Sequence, residues 1–365
     1  MIEGLTDQGP RPGDAQPRRQ AALAGLVLAT AALLAVPFVF FSTFNGMSWF
    51  DDEGTLMVGF RSLLEGHRMY DEIYSLYGPL YNALYGFIFV VLRVPLTHTA
   101  GRLIAAVLWL LYSAGFAAFC YRLTRSMAAM LIAFFFVLAW LTLLMDSPGH
   151  PEEMCLLLLA TILLLACSTE RPPGIVAFIG IGAAVAALVL VKINIGAYVG
   201  GGVLLVLLRA SAPTIWTRIV IPLVAVALLA LPFAVEALLL DFAWVRLYIL
   251  FSTLCIGAAL TVVLTVSLPI VVRPTAWAAV IFAGTLACCV VIGGMMLAGS
   301  SAYALLNAVL LQNADFIRNW YIPLHLDQHG VMAATLSALA AVAYRAGGSR
   351  ASMRVFRDLD RKSVV

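Results

Sequence analysis

Charge is what this sequence has least of: only 11% of its 365 residues are Asp, Glu, Lys or Arg, against 63% hydrophobic residues. Such a balance excludes a soluble domain of this size, about half of whose residues would have to face water. The formal net charge is +3, and nothing in it points to nucleic acid; the positions of the charges matter more than their sum. Cysteine is present but unorganised. All six (Cys120, Cys155, Cys167, Cys255, Cys288 and Cys289) lie in apolar runs without ligand-like spacing and read as small core or lipid-facing residues. No internal repeat marks a transporter built from paired halves. The apolar stretch 21–41 is too long for a typical signal-peptide core and has no clear small-residue cleavage site, so it reads as an uncleaved first span.

What the sequence does have is long apolar runs. The mean hydropathy is +0.99, and several runs reach the roughly 20 residues that span about 30 Å of hydrocarbon as a helix. Helix is the expected form, since a spanning segment must satisfy its own backbone hydrogen bonds. Apolar runs and their charged borders predict an all-α, polytopic transmembrane helical bundle of about ten spans. These cover 21–43, 103–121, 127–145, 154–168, 175–191, 195–208, 219–240, 247–272, 276–298 and 331–344. Residues 1–20 read as a disordered cytoplasmic tail, 21–344 as the membrane domain and 345–365 as a basic cytoplasmic tail.

Orientation follows from the basic residues. Arg18, Arg19, Arg122, Arg125, Arg171, Arg209, Arg218, Arg273 and the tail from Arg345 to Lys362 all fall on one side, which the positive-inside rule makes cytoplasmic. Residues 80–92 are apolar but too short for a crossing and read as re-entrant or interfacial. Two outer segments, 54–65 and 301–317, carry apolar residues at helical spacing and read as juxtamembrane helices lying on the outer face. The composition suits a plasma (inner) membrane.

Chemistry concentrates on the outer side. After the first span comes Trp49-Phe50-Asp51-Asp52-Glu53-Gly54, three consecutive carboxylates beside hydrocarbon. Acids so placed are costly unless used, and crowding favours either a raised pKa on one of them or a bound cation. A solvated loop cluster is the plainer reading of the same residues. Further along come Tyr70-Asp71-Glu72 and Tyr77-Gly78-Pro79-Leu80, then Pro148-Gly149-His150-Pro151-Glu152-Glu153, then Lys192-Ile193-Asn194 at the outer end of a span, and finally Trp320-Tyr321-Ile322-Pro323-Leu324.

An acidic pair after the first span, an amphipathic helix, a Tyr-Asp segment and Tyr-Gly-Pro-Leu, in that order, resemble the integral-membrane C-type glycosyltransferases (the GT-C superfamily). The resemblance is closest to the bacterial branch related to protein mannosyltransferases and aminoarabinose transferases. It extends over roughly residues 20–325, with His150 standing where such enzymes often have an arginine. It implies transfer of a sugar from a polyprenyl-phosphate carrier to an acceptor hydroxyl, with Asp52 as base and Glu53 or Glu152 as its partner. It also implies that Lys192 meets the phosphate, with Arg61, Asp71, Tyr77, His150, Arg318 and Tyr321 as further substrate-binding candidates. No cofactor is obligatory, although Asp51, Asp52 and Glu152 could hold a divalent cation such as Mg or Mn.

Each of these residues has an ordinary reading as well: snorkelling for Lys192, local ion pairs for the arginines, belt anchoring for the aromatics. A transporter or flippase of lipid-linked sugar, and an inactive carrier-binding relative, are the rival functions. Parity supports a single site: two predicted crossings separate Asp52 from Glu152, and two more separate Glu152 from Lys192.

Overall fold

The computed structural model describes residues 15–46, 52–75, 77–142, 148–167, 174–266, 272–308 and 328–346. Of these, 84% are helical, and there are no strands among them. The helices are α1 (Ala15–Asn45), α2 (Asp52–Leu64), α3 (Pro79–Gly86, prolonged by a wider π turn, Phe87–Val91), α4 (His98–Thr124), α5 (Met127–Leu141), α6 (Pro151–Ala166) and α7 (Ile175–Val191). They continue with α8 (Ile193–Arg209), α9 (Ile215–Val235), α10 (Ala243–Thr265), α11 (Pro274–Leu297), α12 (Ala302–Leu306) and α13 (Gln328–Ala346).

Their starts are written in the sequence. Thr97 and Ser126 accept the backbone N–H groups of Ala100 and Ala129 and so cap α4 and α5. Proline occupies the first turn of α3, α6 and α11, where its missing N–H costs nothing. Thr214 and Thr217 cap α9 reciprocally.

Five helices are long and apolar enough to cross a bilayer, the segments Arg19–Asn45, His98–Thr124, Ile215–Val235, Ala243–Thr265 and Pro274–Leu297. This is compatible with a multi-pass membrane protein. Leu34, Ile132, Val176 and Phe282 point outward, an arrangement that water penalises and lipid accepts. Of the five remaining expected spans, α5, α6, α7 and α8 have 15 to 17 residues, or about 25 Å at 1.5 Å per residue, and the expected span 331–344 lies on α13, whose apolar part is likewise short. Helix α1 begins at Ala15, inside the stretch expected to be a disordered tail. Of the expected outer helix 301–317, α12 accounts for 302–306, and its part beyond residue 308 lies outside the described residues.

Contacts between helix ends define two ends of the bundle. At one, Arg102 Nη1 donates to the carbonyls of Thr43 and Phe44, Gly78 N–H to Val191 O, Tyr81 Oη to Gly149 O, and Ser300 Oγ to Met69 O. At the other, Tyr121 reaches Gln20 O, Arg122 reaches Leu164 O, Arg209 reaches Val266 O, and Trp277 meets Ser211. Arg122 and Arg209, two of the expected cytoplasmic residues, therefore bind carbonyls near helix C-termini, where a cation is favoured. Helix α3 starts beside Val191, and α4 starts beside Glu53. Both junctions lie at the first end, so the segment between them returns to the end it left.

In the middle, Gly182 lets α7 and α11 approach. A Cβ there would lie 2.3 Å from Val280 O, so the two backbones meet across a gap that only glycine leaves open.

Candidate functional site

Three segments that are far apart in sequence meet at the first end. The chain between α7 and α8 breaks at Lys192, whose extended backbone (φ −150°, ψ 104°) turns its side chain away from both helices. Its ammonium reaches Glu152 Oε1 in the first turn of α6. His150, at the N-cap position of α6, sets Nδ1 against the other carboxylate oxygen, Glu152 Oε2. Tyr77 closes the group with its ring edge-on to His150 at 5.5 Å.

Close packing holds these segments together. A Cβ on Gly78 would fall 2.1 Å from Leu190 O, so only glycine lets the Tyr77-Gly78-Pro79 turn press on the end of α7. Gly149 takes φ +86°, a conformation that favours glycine, and this reversal sends its carbonyl to Tyr81 and its N–H to Glu153.

Electrostatics follow from burial. Loss of solvent, and then the nearby Lys192 ammonium, lower the His150 imidazole from 6.5 to about 3. His150 is therefore neutral near pH 7. Lys192 and His150 thus flank the two oxygens of a half-buried Glu152. Its Oε1 already accepts from the Lys192 ammonium, which takes the place a divalent metal would need. Among the described residues, no group of three His, Cys, Asp or Glu side chains is placed to hold a metal ion.

Below Glu152 lies a cavity of about 510 Å³ between α4, α5, α6 and the start of α8. Tyr112, Phe116, Trp140, Leu159 and Ile195 are among its apolar walls, and Glu152 is the one charged side chain among the described lining residues. Trp140 and Phe136 are also largely exposed, so the cavity is open along α5. An apolar hollow with a charged group at one end fits an amphiphile.

The second acid of each expected pair has a different place. Glu53 is buried and held by Arg102, whose Nε and Nη2 donate to both of its oxygens at 2.8–3.2 Å, with His98 Nδ1 at 3.1 Å. Glu153 is 1% exposed and accepts hydrogen bonds from Trp109 Nε1 at 2.7 Å and from Gly149 N at 3.2 Å. It thereby ties α6 and the Gly149 turn to α4.

Sequence reasoning singled out neither Arg102 nor Glu153. Arg102 sits one turn into α4, just ahead of the expected span at 103, and as a cation on the outer side it breaks the positive-inside pattern, a signal that could have found it. Glu153 sits about 100° round the helix from Glu152, and adjacent identical letters give no hint which one faces inward.

The other candidates fall elsewhere. Arg61 is exposed and pairs with Glu65 at 3.2 Å. Asp71 accepts Ser301 N–H at 2.7 Å, strapping the loop after α2 to the turn after α11; that hydrogen bond holds its carboxyl below the usual range. Asp52 is the first residue of α2, and nothing further of it is described. Asp51, Arg318 and Tyr321 lie outside the described residues, as do Trp49, Asp146 and Trp320. No family model, no curated protein and no solved structure matches the chain.

Proposed function

We propose that this chain is a membrane glycosyltransferase of GT-C type. It moves a sugar from a polyprenyl-phosphate carrier to an acceptor hydroxyl at the outer face of the plasma (inner) membrane, with both termini cytoplasmic. One observation carries the reading: Lys192 and His150 gather at Glu152, the charged end of an apolar cavity that opens along α5. A polyprenyl phosphate has the matching form, an apolar chain ending in an anion.

In this reading the carrier's chain lies against Tyr112, Phe116 and Trp140, and Lys192 meets the phosphate. The ammonium then neutralises the charge that builds on the leaving phosphate. Glu152 and neutral His150 keep Lys192 aimed before the carrier arrives. Asp52, at the start of α2, takes the acceptor proton, while Arg102 and Glu53 fix the helix that carries it. A divalent cation, Mg or Mn, on Asp51 and Asp52 is compatible with this scheme, and no step depends on it. Flipping of a lipid-linked sugar without transfer is the rival reading, and buried Glu153 is the observation that favours it, since protonatable groups inside helical bundles mark transport pathways.

The test supplies the reconstituted protein with radiolabelled polyprenyl-phosphate sugars and candidate acceptors. Asp52→Asn is expected to lower transfer about 10²- to 10⁴-fold, as loss of a general base does, and Lys192→Met to weaken carrier binding. Undiminished transfer in both variants removes the assignment. Movement of the sugar lipid across the bilayer with no transfer establishes the rival.

A further inference from the structure

A second and smaller cavity lies on the other side of Tyr77. Its volume is about 60 Å³, and it is a half-open pocket between α2, which contributes Thr55 and Gly59, and the facing segment, which contributes Ile73, Ser75, Tyr77 and Asn82. Tyr77 lines this cavity and also meets His150, which pairs with Glu152 at the wall of the larger one. The two hollows therefore flank one partition, Tyr77–His150–Glu152. On α2, the positions of Thr55 and Gly59 follow Asp52 by three and seven residues, which is one helical stripe.

We propose that this small cavity is the acceptor subsite, and that Gly59 sets the size of the group it admits; the proposal rests on the transferase reading. Size limits the ligand first. About 60 Å³ corresponds to roughly four to six water-sized spaces at about 10–15 Å³ each. A terminus of about four non-hydrogen atoms enters, and a hexose ring does not.

Charge limits it second. No charged side chain is among the described lining residues, and the polar lining is hydroxyl and amide: Thr55, Tyr74, Ser75, Tyr77 and Asn82. Asn82 is 3% exposed, and its Nδ2 is fixed by Tyr70 Oη at 2.7 Å and Ser75 Oγ at 3.0 Å, so this rim is preformed. The group that fits is a neutral, hydroxyl-bearing end. In the reaction its O–H proton passes to the base and its oxygen bonds to the anomeric carbon. The bond from that carbon to the phosphate oxygen breaks, and its electron pair leaves on the polyprenyl phosphate.

Gly59 is the handle. A Cβ there would lie 3.6 Å from Ile73 Cγ2, an ordinary contact, so alanine is tolerated and any longer side chain must enter the cavity.

The test uses the full chain in nanodiscs, a panel of radiolabelled polyprenyl-phosphate sugars, and four acceptors: 1,2-ethanediol, glycolate, ethanolamine and glucose. Products are identified by mass spectrometry, and retention of labelled polyprenyl phosphate is measured separately. Ethanediol is expected to be used at least tenfold more efficiently than the charged or bulky acceptors. Gly59→Leu is expected to lower its use at least tenfold and to leave carrier retention within twofold, while Gly59→Ala stays close to wild type. Preference for glucose or glycolate overturns the subsite, as does unimpaired transfer by Gly59→Leu or joint loss of carrier retention in both variants. Transfer to water that ethanediol never diverts overturns the subsite and leaves the transferase standing. A wild-type chain that neither retains the carrier nor transfers overturns both.

Discussion

Gly78→Ala tests the joint between the Tyr77-Gly78-Pro79 turn and the end of α7 with a single methyl group. The added Cβ would stand 2.1 Å from Leu190 O, 2.7 Å from Leu190 C and 2.9 Å from Val191 O. All three are backbone atoms that cannot rotate aside, and van der Waals contact begins about 1 Å further out. The turn must therefore retreat by about that distance. Retreat breaks the Gly78 N–H···O Val191 hydrogen bond, now 3.0 Å, a loss of about 1 kcal/mol, and crowding adds about 1–3 kcal/mol. Lys192 follows Val191 directly and Tyr77 precedes Gly78, so the partition between the cavities shifts with the joint. A displacement of this size at a reacting centre costs about 10²-fold in rate. The assays are thermal unfolding in detergent, read by size-exclusion recovery, and transfer from the labelled carrier. Melting within 1 °C of wild type together with full transfer would refute this packing.

Arg102→Met leaves Glu53 buried without its cation and frees two carbonyls at the end of α1; a loss of about 3–5 kcal/mol is expected, with partial recovery in the double variant Arg102→Met/Glu53→Gln, both read by thermal unfolding. Gly182→Leu drives a side chain into Val280 O, so the protein is expected to lose its monodisperse peak after extraction, while the same change at Gly293, with nothing within 4 Å of its Cβ, is harmless. Stability also carries a pH signature from His150. The unfolded imidazole takes a proton below about 6.5, whereas the folded one refuses it until about 3, so stability is lost as pH falls through that window by at most about 1.4 kcal/mol per unit. His150→Asn is expected to flatten the slope between pH 7.5 and 5; an unchanged slope assigns it to other groups.

The helical architecture was legible because its signals are local. Apolar runs and their charged borders are read along the chain itself, and the prolines that open α6 and α11 and the caps at Thr97, Ser126 and Thr214 each act within one turn. The non-crossing reading of 80–92 came from length and from the arginines beyond it, and both ends of that segment lie at one end of the bundle. Motif order and parity of crossings, which need no distances, suggested one site for Asp52, Glu152 and Lys192; of these, Lys192 and Glu152 meet, and of Asp52 only its place at the start of α2 is described. What stayed hidden depends on close approach in three dimensions. Gly78 and Gly182 are ordinary glycines until a backbone carbonyl is found against them. Glu53 carries the same letter as a catalytic acid, yet Arg102 engages both of its oxygens. Glu152 and Glu153 differ only in which side of α6 they occupy.

The measurement closest to the heart of the account is photocrosslinking of the purified chain with a polyprenyl phosphate that carries a benzophenone in its tail, followed by peptide mapping. Label is expected in the stretches containing Tyr112 and Phe116, Trp140, and Cys155 to Leu159, and it is expected to fall at least tenfold in Lys192→Met while the variant still folds. Label confined to α9 and α10, or label that ignores the loss of Lys192, would contradict a lipid-phosphate site at this cavity.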